Sequence, residues 1–216
     1  AVVTGASRGL GRELALALAR EGYDLLVCAR GAADLEDVRA EVVALDRKCR
    51  VWQRDLTNPR DFQEALMIRP VEVLVNNAAL THILKPLEEL TANDYHETFS
   101  LNLYTPFRLM QAVIPGMKAR GSGTIVNICS LSGRRAIRNA SIYCASKFAL
   151  RGLTETVAQE LDGTGIRCFS VSPGGIRTQM RQNLLGDAAQ QQDPALVAQI
   201  IVDAIAGRAP VPQGGD

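Results

Sequence analysis

Short apolar runs recur along this chain, each separated from the next by room for one amphipathic stretch, and that rhythm narrows the fold more than any other feature. The runs are Ala1–Val3, Leu25–Ala29, Arg50–Gln53, Val71–Val75, Thr124–Ile128 and Arg167–Val171. Segments with helical periodicity lie at about 10–22, 32–45, 59–67, 92–119, 141–162 and 193–206. Such alternation predicts repeated βαβ units. Most of the runs are apolar throughout, as expected of strands covered on both faces in a parallel sheet. No internal repeat, low-complexity tract or linker divides the chain. The expectation is an α/β protein: one doubly wound Rossmann-type domain over residues 1–216, with a central, mostly parallel sheet and helices on both faces. A domain of this length buries about 70% of its unfolded surface.

Two places are thin. Between Asp55 and Asn76 there is room for only a short helix before the fourth strand, and 183–192 is polar and Gln-rich, with the character of a mobile loop.

A formal net charge of +1 gives no reason to expect nucleic acid or an anionic membrane as partner. The apolar runs are too short to span a bilayer. The chain opens directly on an apolar strand, and no signal peptide is expected. Five cysteines (Cys28, Cys49, Cys129, Cys144 and Cys168) show neither metal-ligand nor CxxC spacing, and several lie in apolar segments. We expect a reduced, cytoplasmic protein with no metal site.

After the first strand comes Thr4-Gly5-Ala6-Ser7-Arg8-Gly9-Leu10-Gly11. On its own, such an octamer is equally an ordinary strand-to-helix loop. At the first strand–helix junction of a βαβ chain it predicts a phosphate site, where glycines let a pyrophosphate approach backbone N–H groups at a helix N-terminus. The spacing is GxxxGxG, not GxGxxG. The second strand ends Val27-Cys28-Ala29-Arg30, without the acidic residue that binds ribose hydroxyls in NAD-dependent proteins. Arg30, with Arg8, can grip a 2′-phosphate through fork-shaped hydrogen bonds. The expected cofactor is NADP(H) in preference to NAD(H), although a single Arg30 could also be a solvated loop residue.

Tyr143 and Lys147 stand four residues apart, one helical turn, on the same face. A protonated lysine about 5 Å from the phenol favours the phenolate by roughly 3 kcal/mol at an effective dielectric near 20. That would pull the phenol from about 10 to about 8, where it can exchange protons at neutral pH. Alone, the pair is equally a surface tyrosine beside a surface lysine.

Taken together, these motifs resemble the short-chain dehydrogenases/reductases, in their compact branch. The resemblance runs from Val2 to about Thr178. It rests on TGASRGLG at 4–11, Asp55-Leu56-Thr57, Asn76-Asn77-Ala78-Ala79, Asn102, Ser130, the Tyr143/Lys147 pair, and Pro173-Gly174 through Thr178, in that order. The resemblance implies Ser130 as the hydroxyl bonding the substrate oxygen, with Ser132 as its rival. Tyr143 is implied as general acid or base, Lys147 as its modulator and holder of the nicotinamide ribose, and Asn102 as anchor of a water in the proton relay. For the cofactor, Gly5, Ser7, Gly9 and Leu10 are expected at the pyrophosphate and Arg8 at the 2′-phosphate, and the resemblance implies Asp55 and Leu56 at the adenine. Asn77 and Ala78 would sit beside the adenosine ribose, and Pro173, Gly174, Ile176 and Thr178 at the carboxamide. Ala79 replaces the usual glycine of NNAG. Cys129 and Cys144 flank Ser130 and Tyr143 and are read as packing thiols, with an oxidation-sensitive site as the alternative.

The implied activity is hydride transfer between NADP(H) and a carbonyl or alcohol carbon of a small organic substrate, by an enzyme like the general carbonyl and 3-oxoacyl thioester reductases. The competing class is a non-catalytic NADP(H)-binding sensor or scaffold on the same fold. Family analogy also implies a homodimer or homotetramer paired through the helices at about 92–119 and 141–162. Substrate selection is expected from Leu80–Leu84, Leu131–Asn139 and 179–192, where Met180, Leu184 and Leu185 offer apolar lid residues without a charge cluster. His82 and His96 show no partner pattern, and Trp52 is expected to pack in the core.

Overall fold

The central strands are buried along nearly their whole length, which is why they are apolar throughout. In the computed structural model, which describes residues 1–57, 70–81, 84–177 and 191–211, β1 (Val2–Thr4) and β4 (Val73–Asn76) are buried at every residue. In β5 (Gly123–Ile128) only the first residue is partly open. With β2 (Leu25–Ala29), β3 (Cys49–Gln53) and β6 (Ile166–Val171), they form a six-stranded sheet in the order β3-β2-β1-β4-β5-β6. Every pairing is parallel. β3 is an edge strand and half-open, so Trp52 packs against the core from a partly exposed position.

Helices cover both faces. On one lie α1 (Gly9–Arg20), α2 (Ala32–Ala44) and α6 (Pro194–Ile205), joined to the sheet by a core that includes Leu14, Leu18, Leu35, Val38 and Ile201. Each fully buried side chain of this kind contributes about 1.5–3 kcal/mol. On the other lie α4 (Thr105–Arg120) and α5 (Ser141–Glu160), packed through Leu109, Met110, Met117 and Val157. The helix expected over 92–119 is continuous, but its hydrogen-bond ladder changes part-way. A helix α3 (Ala92–Phe99) runs into a π-helical turn at Ser100–Tyr104 before α4 begins. Pro106 lacks an N–H and cannot bond the Asn102 carbonyl one turn back, so the α ladder is interrupted there. The short helix expected at 59–67 falls within 58–69, outside the described residues.

Polar side chains also tie the sheet to α5. Asn76 Nδ2 donates to Asn127 Oδ1 (2.8 Å), and Asn127 Nδ2 donates to Thr154 Oγ1 (2.8 Å). Strand order reverses between β1 and β4, opening a crevice at the carboxyl ends of the strands. The glycine turn, the Asn76–Ala79 turn, Ser130 and Pro173 each follow a strand's carboxyl end, so the topology alone brings them to one edge.

Candidate active site

Ser130 lies two residues beyond β5 and caps a 3₁₀ turn, Leu131–Gly133, its Oγ accepting from the Ser132 N–H (3.1 Å). That turn fits against α5 because residue 133 is glycine: a Cβ there would stand 2.9 Å from the Lys147 carbonyl oxygen. Ser132 is buried, while Ser130 is partly open and its side chain interacts with the Tyr143 phenol in the sense that favours phenolate. Of the two serines, Ser130 is the one that acts on the Tyr143 phenol. Lys147 is 2% exposed; its Nζ donates to the Ile128 carbonyl (2.8 Å) and stands 5.9 Å from the Tyr143 ring centroid.

The expected lowering of the tyrosine is not what the folded chain shows. Burial pushes the Tyr143 phenol up to about 12, outweighing the opposing effect of Ser130. Burial also draws the Lys147 ammonium down to about 8, and Cys129 only partly offsets it. Packing that encloses Lys147 and covers much of Tyr143 removes water that stabilises their charged forms, and Lys147 directs its N–H at a backbone carbonyl. The helical spacing is as expected. The sign of the shift is set by desolvation, which spacing does not encode. Cys129 and Cys144 are buried, and burial raises the Cys129 thiol, consistent with packing.

Asn102 lies in the π turn with no exposed surface. Its Oδ1 accepts from the Leu80 N–H (2.7 Å), and its Nδ2 donates to the Leu80 carbonyl (2.8 Å) and to Ser146 Oγ (3.0 Å). Ser146 Oγ in turn donates to the Tyr143 carbonyl (2.8 Å), so one chain of hydrogen bonds links the loop at Leu80 to the helix turn bearing Tyr143. Ser146 was missed in sequence. Its only signal was its place between Tyr143 and Lys147.

The residues at the glycine turn fit a dinucleotide. Gly5 and Gly9 have φ of +65° and +56°, and a Cβ on Gly11 would fall 2.1 Å from the Gly5 carbonyl oxygen. Arg8 is the exposed N-cap residue of α1, and no side chain caps that end, which leaves helix N–H groups available to an anion. Ser7 is partly open, and Leu10 turns its side chain into the core. Thr4 holds the cradle to its neighbour: its Oγ1 accepts from the N–H groups of Asn77 and Ala78, both at 3.0 Å. Asn77 Nδ2 donates to the Thr4 carbonyl (2.9 Å). At the ends of β2 and β3, Arg30 and Asp55 are exposed. The Asp55 carboxyl is held below the usual range, first by the Thr57 N–H and less strongly by the Arg30 charge. Leu56 is buried, its carbonyl accepting from Thr105 Oγ1 (2.5 Å). Pro173, Gly174 and Ile176 follow β6, the Pro173 carbonyl accepting from Leu131 N–H (3.2 Å) and Ile176 pairing with Gln192. Thr178, His82, Met180, Leu184 and Leu185 lie outside the described residues. His96 is exposed, its ring edge-on to Tyr95. Among the described residues no group of three or more potential ligands could hold a metal, and no helix is long and apolar enough to cross a membrane.

Residues 1–189 match the family model of the short chain dehydrogenases. The chain is 38% identical to L-xylulose reductase of Mesocricetus auratus over 182 residues, covering 83% of this chain and 72% of that protein. It is 33% identical to gluconate 5-dehydrogenase of Gluconobacter oxydans over 192 residues, covering 87% and 75%. Among solved structures, a short-chain dehydrogenase from Sphingobium yanoikuyae in complex with NADPH superposes with a TM-score of 0.89 at 28% identity, covering 96% of this chain and 84% of that one. The chain belongs to the short-chain dehydrogenase family. It is an oxidoreductase that transfers hydride between a nicotinamide cofactor and a carbonyl or alcohol carbon.

Proposed function

We propose that the protein reduces the carbonyl group of a small organic molecule with NADPH in preference to NADH, or runs the reverse oxidation, with Ser130, Tyr143 and Lys147 at the reacting carbon. The observation that carries this reading is their convergence at the carboxyl edge of the sheet, with Asn102 tied to the same helix turn through Ser146. NADPH, when bound, supplies the hydride. The Tyr143 hydroxyl donates a proton to the substrate oxygen, and Ser130 Oγ donates a hydrogen bond that stabilises its negative charge. At about 12 the phenol is protonated at neutral pH, the state a reductase needs. Lys147, near 8, takes up or releases a proton easily and can resupply the tyrosine. Asn102 positions the helix and the Leu80 loop, and anchors the relay water.

The choice of NADP(H) rests on Arg30 at the end of β2, on Arg8 at the head of α1, and on the absence of an acidic residue at the β2 terminus. The NADPH complex of the Sphingobium relative is consistent with it. We also propose pairing of two or four chains through α3–α5. Tyr104, Phe107 and Phe148 are 39–45% exposed there, beside an open apolar groove of about 430 Å³ that lies away from the reacting residues. A cytoplasmic setting agrees with five cysteines in packing rather than bridging positions.

The test follows oxidation of NADPH and NADH in parallel against a panel of ketones and aldehydes. NADPH consumption that falls at least a hundredfold in Tyr143→Phe supports the reading. Nucleotide binding without turnover across the panel, unchanged in that variant, refutes it.

A further inference from the structure

Between Ser130 and Tyr143 the chain reads Leu131-Ser-Gly-Arg-Arg-Ala-Ile-Arg-Asn-Ala-Ser-Ile142, with three arginines and no carboxylate. In a protein whose net charge is +1, that is a local island of positive charge. The fold keeps it beside the reacting residues. Both ends of the segment meet where the Ser130 side chain reaches the Tyr143 phenol. Arg134 and Arg135 N–H groups bond back to the Leu131 carbonyl (2.9 and 3.0 Å), and Gly133 rests on the Lys147 backbone. Asn139, at φ +63°, turns the chain back toward α5. Its carbonyl accepts from the Lys85 backbone N–H (3.0 Å), which fastens the backbone of a fourth cationic residue to the same loop.

None of these four cations is paired with a carboxylate among the described residues, whereas Arg12, Arg151 and Arg208 each hold at least one. Of the nearby acids, Asp94 caps α3 through Thr91, Glu97 accepts from Asn93, and Glu88 and Glu89 stand exposed on a 3₁₀ turn. Arg134 is only partly open and its Nε is buried with no partner. A guanidinium N–H taken from water without an acceptor is costly, and an oxyanion offsets that cost best. The cofactor's 2′-phosphate is not that oxyanion. In the sheet order, β5 stands three positions from β2, where Arg30 sits, a separation of about 14 Å at ~4.8 Å per strand.

We propose that Arg134, Arg135 and Arg138, with Lys85, receive an anionic group, a carboxylate or a phosphate monoester, on the substrate whose carbonyl faces Tyr143. The inference rests on the carbonyl-reductase reading and names the substrate class for that site. A planar guanidinium fork matches both oxyanions, and the unpaired cations concentrate such substrates at the mouth of the site.

Two matched pairs test it with NADPH as donor: 4-oxopentanoate against its methyl ester, and dihydroxyacetone phosphate against dihydroxyacetone. For at least one pair the charged member should have a kcat/KM ten- to a hundredfold above its neutral partner, the worth of one or two charge-assisted bonds. The pair that shows the preference identifies carboxylate or phosphate as the source. The preference should shrink with added salt. It should fall toward unity, chiefly through KM, in the triple variant Arg134→Gln/Arg135→Gln/Arg138→Gln. If that variant does not fold, Arg135→Gln and Arg138→Gln, both exposed, carry the comparison singly. Equal turnover within both pairs, activity confined to neutral carbonyls, or a preference untouched by the substitutions overturns the inference. Absence of NADPH oxidation with all four compounds and with the wider carbonyl panel overturns the reductase reading and takes the inference with it.

Discussion

Replacing Lys147 with methionine should change how the protein's stability responds to pH. The ammonium is 2% exposed, has one hydrogen bond, to the Ile128 carbonyl, and is drawn by burial from 10.5 to about 8. Below pH 8 the lysine is protonated in both folded and unfolded chains, so the cost of burying its charge is fully present and adds no slope. Between 8 and 10.5 the unfolded chain holds the proton and the folded chain has released it. The unfolded state then binds more protons, and stability rises with pH. Over that window the gain is about 3 kcal/mol, at about 1.4 kcal/mol per unit. The Lys147→Met variant has no group there to titrate and lacks this gain. Cys28 and Cys168, pushed up to about 12, and Cys49, to about 11, destabilise both proteins as pH climbs past 9, and they cancel in the difference. Cys129 is likewise raised by burial, and Lys147 is already neutral where that thiol would ionise, so it too cancels. Urea denaturation of both proteins without nucleotide, from pH 7 to 10.5, measures it. The wild-type-minus-variant difference should move by about 3 kcal/mol in favour of wild type. A flat difference, or one that moves the other way, would refute the burial reasoning.

Three further outcomes are expected. Asn127→Leu should cost about 2–4 kcal/mol in urea denaturation, because the buried amide of Asn76 and hydroxyl of Thr154 both lose a partner. Gly11→Ala should weaken NADPH binding at least tenfold in a fluorescence titration and lower the unfolding midpoint, since its Cβ meets Gly5 O and Asn77 Nδ2 at 2.1 and 2.4 Å. Arg30→Glu should shift the ratio of NADPH to NADH kcat/KM toward NADH by ten- to a hundredfold, the loss of one guanidinium–phosphate contact; an unchanged ratio would remove Arg30 from the cofactor site.

Sheet, helix layers and the one-turn spacing of Tyr143 and Lys147 were legible in the residues alone, because each depends on short-range geometry, whereas Ser130 entered only through the resemblance to a family. Apolar runs report strands buried on both faces, and four residues on a helix return a side chain to the same face whatever surrounds it. The glycines of the first turn were legible for the same reason, since positive φ is a local demand that side chains resist. What the tertiary structure alone decided lies at long sequence separation or depends on water. The π turn within the helix over 92–119 carries Asn102, which meets Leu80 and Ser146, 22 and 44 residues away. Thr4 fastens the glycine turn to Asn77 and Ala78 across more than 70 residues. The Tyr143 shift came out opposite to the pairwise expectation, and Lys147 moved with it, because the desolvation of a charge depends on everything packed around it, whereas sequence spacing supplies only the neighbour one turn away. The three arginines between Ser130 and Tyr143 were visible from the start; only packing showed that no carboxylate among the described residues pairs with them.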